Sequence, residues 1–440
     1  MIKVKRLPRD PGPAAWNALL PPRPPPRSLD ENITADWLVI GAGFAGLAAV
    51  RRLAQLRAGD RIVMLEASRV GEGPAGRNSG FMIDLPHDLT SDSYSGGADS
   101  DRLQIAMNRA AIAFAAEAAG EIGMSAEAFS QTGKVNAAAT EKGERHLEHY
   151  TRHLRSLDET CEVLDPQAMR DLTGIPYYRQ GLFTPGAAMV QPAMFVRALA
   201  AAAVVSTDVY ERSPVTTLSR TGKDWHATTP KGAVIAPNVI LAVNGHAESF
   251  GFFKRRLMHT FTYASMTRAL TAEETARLGG QPTWGILPAD PMGTTVRRVA
   301  GRIVIRNRFT YDPSMAVGDG RLDKMGRSHD KSFVARFPML AGVEMEYRWG
   351  GRLCLSRNGV PAFGEVEENL YAACCQNGLG TTKGTLAGML AAELATKLNN
   401  PMLEDMLAFD RPERLPPEPF AWLGANAVMR WKERKAGDEL

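Results

Sequence analysis

Gly41, Gly43 and Gly46 stand in the spacing G-x-G-x-x-G, and Glu66 follows 20 residues after the last of them. Gly41 permits a tight turn, Gly43 lets backbone approach a pyrophosphate, and Gly46 lets a helix press onto a strand. Phe44 and Ala45 would open that helix, whose free N–H groups and positive dipole end suit an anion. Glu66, followed by Ala67, can accept hydrogen bonds from a ribose. Glycines alone are a weak signal. Here the apolar run Trp37–Ile40 precedes them, a helical pattern follows, and Ile62–Leu65 reads as a second strand ending at the acid. This order predicts a dinucleotide site and leaves open which dinucleotide.

Two further stretches are rich in small residues. Val70–Phe81 contains Gly76, Arg77, Asn78 and Ser79 directly after the acid, so it is expected to lie against a flat ligand, with Arg77 and Asn78 as polar contacts. A surface loop is the plainer alternative. Gln376–Gly384 carries Gly378, Leu379, Gly380, Thr381, Thr382 and Lys383 before a helix reaching Lys397, a second helix start aimed at the ligand.

These groups need a scaffold. Pro237–Gly245 reads as a buried parallel strand whose end, Asn244-Gly245, meets a ligand. Helices are expected over Asp101–Met124, Glu141–Leu157 and Pro192–Val204, and strands over Gln131–Ala139, Tyr178–Thr184, Thr207–Leu218 and Trp225–Thr229. Between Arg255 and Tyr347 alternation replaces continuous apolar runs, as in an antiparallel sheet with one open face. Arg302, Arg306 and Arg308 fall on one face of a strand there, with Ile303, Ile305 and Phe309 on the other. Residues 1–32 are proline-rich and are expected to form an extended surface arm, with Trp16 as its anchor. The tail after Pro401 shows only an amphipathic piece near Trp422–Trp431.

The chain has 440 residues, 44% hydrophobic and 23% charged, with a net charge of +4, enough for more than one domain-sized unit. No Lys/Arg block or RNA-binding signature points to nucleic acid. Four cysteines without a C-x-x-C make neither a disulfide framework nor a metal site, and a reducing cytoplasm is expected. No transmembrane run and no secretory signal is read.

The motifs together resemble the FAD-dependent D-amino-acid oxidase superfamily, in particular its glycine, sarcosine and gamma-glutamylputrescine oxidase group. The Pro-rich arm, the Gly73–Gly80 loop, Tyr210–Val215, Ala242–Gly245, Tyr347–Gly351, Asn358–Gly364 and Gly378–Thr382 occur in that group's order. The resemblance implies an α/β fold with an α+β region: a Rossmann-type FAD-binding domain built from separated segments (33–100, 180–250 and 349–400) and an antiparallel-sheet substrate domain (101–179 and 251–348). Residues 1–32 form the arm and 401–440 a tail. It also implies that Val215 backbone meets adenine and that Gly350 lies near the flavin. Covalent members attach the cofactor through a histidine in the first loop or a cysteine where Gly351 stands. This chain has neither, so dissociable FAD is expected.

The chemistry implied is oxidation of the C–N bond of a primary or secondary amine or amino acid, by hydride transfer to flavin N5, giving an imine that hydrolyses. Oxygen or another acceptor would take the electrons. Met82, His259, Tyr263, Arg306 and Trp349 are the candidate substrate contacts. Sarcosine oxidases clamp the substrate carboxylate with an arginine and a lysine; Gly80 and Thr382 stand at those positions, with Lys383 one residue displaced. An electron-transferring flavoprotein subunit of a multi-subunit amine or opine dehydrogenase is the alternative.

Overall fold

The computed structural model describes residues 1–87 and 96–440. Apolar runs of four residues, too short and too uniformly buried for helices, form the centre of a six-stranded sheet. Its order is Thr207–Tyr210, Ile62–Leu65, Trp37–Ile40, Asn238–Leu241, Leu370–Cys374 and Ala362–Glu367. All neighbours are parallel except the last pair. The helix Phe44–Leu56 packs on this sheet and against the late helix Thr382–Ala395. Gly388 permits that approach, since a Cβ there would stand 1.9 Å from the Ala45 carbonyl oxygen.

An eight-stranded sheet forms the second layer, ordered Met345–Leu355, Met258–Thr267, Arg302–Tyr311, Thr295–Val299, Trp284–Pro288, Lys134–Ala138, Gln180–Thr184 and Glu162–Leu164. Only the Trp284–Pro288 and Lys134–Ala138 pair is parallel. This is the mixed α/β architecture expected, with several boundaries displaced. Thr207–Leu218 is not one strand: Thr207–Tyr210 joins the parallel sheet, and Thr217–Thr221 joins a separate five-stranded sheet. The chain breaks at Arg212, where φ is 49°. The helix Ala98–Ile122 packs on the late helix through Met107 and Ala111, so the start of the 101–179 segment lies beside the six-stranded sheet, while Lys134–Ala138 and Glu162–Leu164 belong to the large one. Gln180–Thr184 and the end of Met345–Leu355 belong instead to the large sheet.

The arginine face is also corrected. The ladder shifts register between Thr262 and Tyr263, and opposite them Arg308 takes a left-handed φ of 65°. This bulge reverses the alternation. Ile303 and Ile305 stay in one core cluster, while Phe309 joins Met292 and Ala436 in another, with the Arg306 guanidinium 4.6 Å from its ring centroid. Arg302 pairs with Glu346, and Arg308 with buried Glu433 at 2.8 Å.

Candidate cofactor and active site

Backbone closes the fingerprint turn. Gly41 has φ 103° and donates its N–H to Leu65 O at 2.8 Å. A Cβ on Gly46 would stand 1.8 Å from Gly41 O, so only glycine lets the helix sit this close. At Gly43 a Cβ would meet only Ala75 Cβ, at 3.7 Å, and at Gly380 nothing. Those two positions border open space. Neither Gly43 nor Thr381, the residues preceding the two helices, caps its helix with a side chain, so both termini offer N–H groups to a ligand. Glu66 accepts from Ala42 N at 2.8 Å and Ser68 N at 2.9 Å. Burial pushes its carboxyl above the usual range, and these two N–H groups pull it back.

A single cleft runs over these groups, enclosing about 1710 Å³ of empty space including its open mouth. It runs from the fingerprint turn and Glu66 to the Gly378–Thr381 turn, so it is long enough to take an extended ligand. Of the sequence-predicted cofactor residues, Gly41, Gly43, Phe44, Ala45, Glu66, Ala67, Asn78, Ser79, Val215, Asn244, Gly245, Gly378, Gly380 and Thr381 line it. Gln376 lines it too, and its Oε1 and the Thr382 hydroxyl are buried without a partner among the described residues. Orphaned polar atoms beside an uncapped helix fit a bound ligand that supplies the missing hydrogen bonds.

The remaining cofactor candidates stand behind the wall. Gly76 is pressed against Gly71, whose carbonyl oxygen would be 1.8 Å from a Cβ. Leu379 packs with Phe81, Ile83, Met189 and Leu287. Lys383 continues the late helix, its N–H on Leu379 O at 2.8 Å. The Arg77 side chain is not a cleft contact. Its guanidinium donates to the carbonyls of Glu72, Pro11, Gly12 and Gly350, tying the Gly73–Gly80 loop to the arm. Gly350 serves the same junction, since a Cβ there would press on Pro11 at 2.7 Å.

The arm itself departs from the expected surface strap. Trp16 is buried as foreseen, donating to Asn78 O at 2.9 Å and lying edge-on to Trp349 at 6.3 Å. Upstream of it, Val4, Arg6, Leu7 and Pro8 line the cleft. Asp10 holds Arg352, another lining residue, through bonds of 2.9 and 3.0 Å. Composition showed a proline-rich segment; nothing in it signalled partners more than 300 residues away.

Of the candidate substrate contacts, His259 lines the cleft, its Nε2 2.6 Å from Glu248. Burial acts to raise the Glu248 carboxyl, but hydrogen bonds from His259 and Arg255 N hold it below the usual range. Tyr263 bonds Thr310 at 2.6 Å, Trp349 donates to Arg77 O at 3.0 Å, and Met82 sits in the core; these three do not line the cleft. Arg306 lies elsewhere, in a positive region that sequence reasoning missed. His87 is half-buried, and desolvation, then Lys134, Arg306 and Lys383, push it well below its ordinary pKa. Lys134 is itself buried, with Nζ 2.5 Å from Asn136 Oδ1, and burial lowers it to about 8.

Known proteins agree with this geometry. Gamma-glutamylputrescine oxidoreductase of Escherichia coli (strain K12) is 28% identical over 82% of this chain and 83% of its own. A tRNA 5-methylaminomethyl-2-thiouridine biosynthesis bifunctional protein of Burkholderia multivorans is 30% identical, over 51% of this chain but only 33% of its own. The crystal structure of glycine oxidase from Geobacillus kaustophilus superposes with a TM-score of 0.69 at 20% identity, covering 87% of this chain and all of that one. The model of the FAD-dependent oxidoreductase (DAO) family matches residues 36–394. The chain belongs to the family of FAD-dependent oxidoreductases.

Proposed function

We propose that this enzyme oxidises the C–N bond of a primary or secondary amine or amino acid with dissociable FAD. The observation that carries the reading is the cleft itself, which joins Gly41–Ala45 and Glu66 to the turn Gly378–Thr381 and to His259, Thr260 and Phe261 of the large sheet. When bound, FAD supplies the hydride acceptor, and the oxidised substrate is an imine open to hydrolysis.

The chain's own residues bind and orient. Glu66 would hold the ribose and the Phe44–Leu56 helix the pyrophosphate. The Thr382–Ala395 helix start would place positive dipole where the reduced cofactor carries negative charge. The sequences between Val4 and Pro8 close one wall against water. His259, fixed by Glu248, is the nearest candidate for a polar substrate contact.

Dissociable binding is supported by the thiol nearest the relevant position. Cys354 lines the cleft three residues after Gly351. A hydrogen bond with Cys375 and then burial push its thiol well above the ordinary range, which suppresses the nucleophilic thiolate.

The test is an anaerobic screen of flavin bleaching against simple amines, N-methyl amino acids and D- and L-amino acids, followed by air. Bleaching by any of these amines or amino acids supports the reading, and bleaching by none of them refutes it. Fast reoxidation marks an oxidase and slow reoxidation a dehydrogenase.

A further inference from the structure

The C-terminal helix Phe420–Ala436 has two faces with different duties. Its inner face is built into the large sheet. Ala421, Met429 and Ala436 pack against that layer. Asn426 exchanges hydrogen bonds of 3.1 and 3.0 Å with the Tyr311 backbone, and Glu433 accepts from Arg308 and Phe309 N. The outer face is apolar where solvent should meet polar groups. Phe420, Leu423, Val428 and Trp431, at i, i+3, i+8 and i+11, are 66%, 53%, 53% and 54% exposed. Arg430, Arg434 and Lys435 flank them, also exposed, and the Lys435 ammonium lies 3.8 Å from the Trp431 ring centroid.

We propose that this face docks on an anionic lipid bilayer, with the helix lying in the headgroup plane. Exposed aromatic and aliphatic side chains beside lysine and arginine are the pattern of an interfacial helix. The only acid within the helix is Glu433, which points inward to Arg308, so the outer face carries positive charge alone. Charge weighs against the simplest rival occupant, a second copy, because a two-fold contact would join two faces that are both positive, neither offering an acid to the other's cations. A protein partner would ordinarily find hydrogen-bonding groups there, whereas Gly424 and Ala427 complete an outer face with no uncharged polar side chain. At 17 residues the helix is roughly 25 Å long. No helix among the described residues is long and apolar enough to cross a membrane, so the contact is one of surface docking.

The holoenzyme is sedimented with vesicles of phosphatidylcholine alone and of phosphatidylcholine mixed with phosphatidylglycerol, at low and high salt. Binding to the mixed vesicles only, weakened by salt, is expected. Replacing Arg430, Arg434 and Lys435 together by Ser should lower partitioning by roughly a hundredfold, at about one order for every one to two cations. F420S with W431S should abolish it while the melting temperature, which reports the inner face, stays unchanged. Absence of binding to the mixed vesicles overturns the proposal, as does equal binding to both vesicle types. So does a concentration-dependent dimer of the free protein that F420S with W431S dissolves.

Discussion

At the fingerprint turn the decisive contacts join Gly41 to Gly46, Gly46 to the strand beside it, and Glu66 to Ala42 and Ser68. In the large sheet they join Arg308 to Glu433 across 125 residues and Tyr311 to Asn426 across 115. The fingerprint side of the cleft is thus built from backbone geometry that local residue types dictate. The sheet is built from side chains whose partners arrive only with the whole fold. Substitutions in the first region should remove flavin and spare the remaining structure. Substitutions in the second should reduce stability and spare flavin.

Gly46→Ala should have the largest effect. The new methyl would meet a backbone carbonyl that no rotamer can move aside, costing about 3 kcal/mol, and purified protein should lack the yellow flavin absorbance. Glu433→Ala is the matching change in the sheet. It strands Arg308 and an unpaired Phe309 N–H, and chemical denaturation should show a loss of about 3 kcal/mol with full flavin content. If Glu433→Ala released flavin as readily as Gly46→Ala, the contrast between the regions would collapse.

Lys134 sharpens the contrast through pH. Burial lowers it from 10.5 to about 8 in the folded protein. Between those values the unfolded chain binds more protons, so stability rises as pH climbs from about 8 to 10.5. The gain should reach about 3 kcal/mol and vanish in Lys134→Met, as melts across that range would show.

Glu66→Gln tests the cleft more gently. It keeps shape but weakens acceptance from the ribose, and FAD should bind about tenfold less tightly by fluorescence titration, a loss of about 1.4 kcal/mol. Arg77→Lys should do least, costing about 1 kcal/mol. One Arg77 nitrogen serves the Pro11, Gly12 and Gly350 carbonyls while Nε bonds Glu72 O; a single ammonium cannot do both, and limited proteolysis should then cut first in the arm.

The same difference in range explains what the sequence disclosed. The strand Trp37–Ile40, its helix and the acid at Glu66 follow from neighbours within about thirty residues. Their element types and burial are as the spacing predicts. The late turn was readable because two glycines before a helix mean the same thing wherever they occur. Arg77 misled because its type announces polar contacts but not which ones, and here they are carbonyls of the arm. The bulge at Arg308 reversed a strand face that alternation alone would leave continuous. Residues Val4–Pro8 and Asp10 gave no signal at all. Their role exists only because Arg352 and the cleft lie next to them in space.

The most direct test of the central claim is to denature the purified holoenzyme in acid and analyse the supernatant and the precipitate for chromophore. Binding by backbone and by Glu66, with no attaching residue at Gly351 and a suppressed thiol at Cys354, predicts FAD released into the supernatant, one molecule per chain. Flavin retained on the precipitated protein, or NAD in place of FAD, would contradict it.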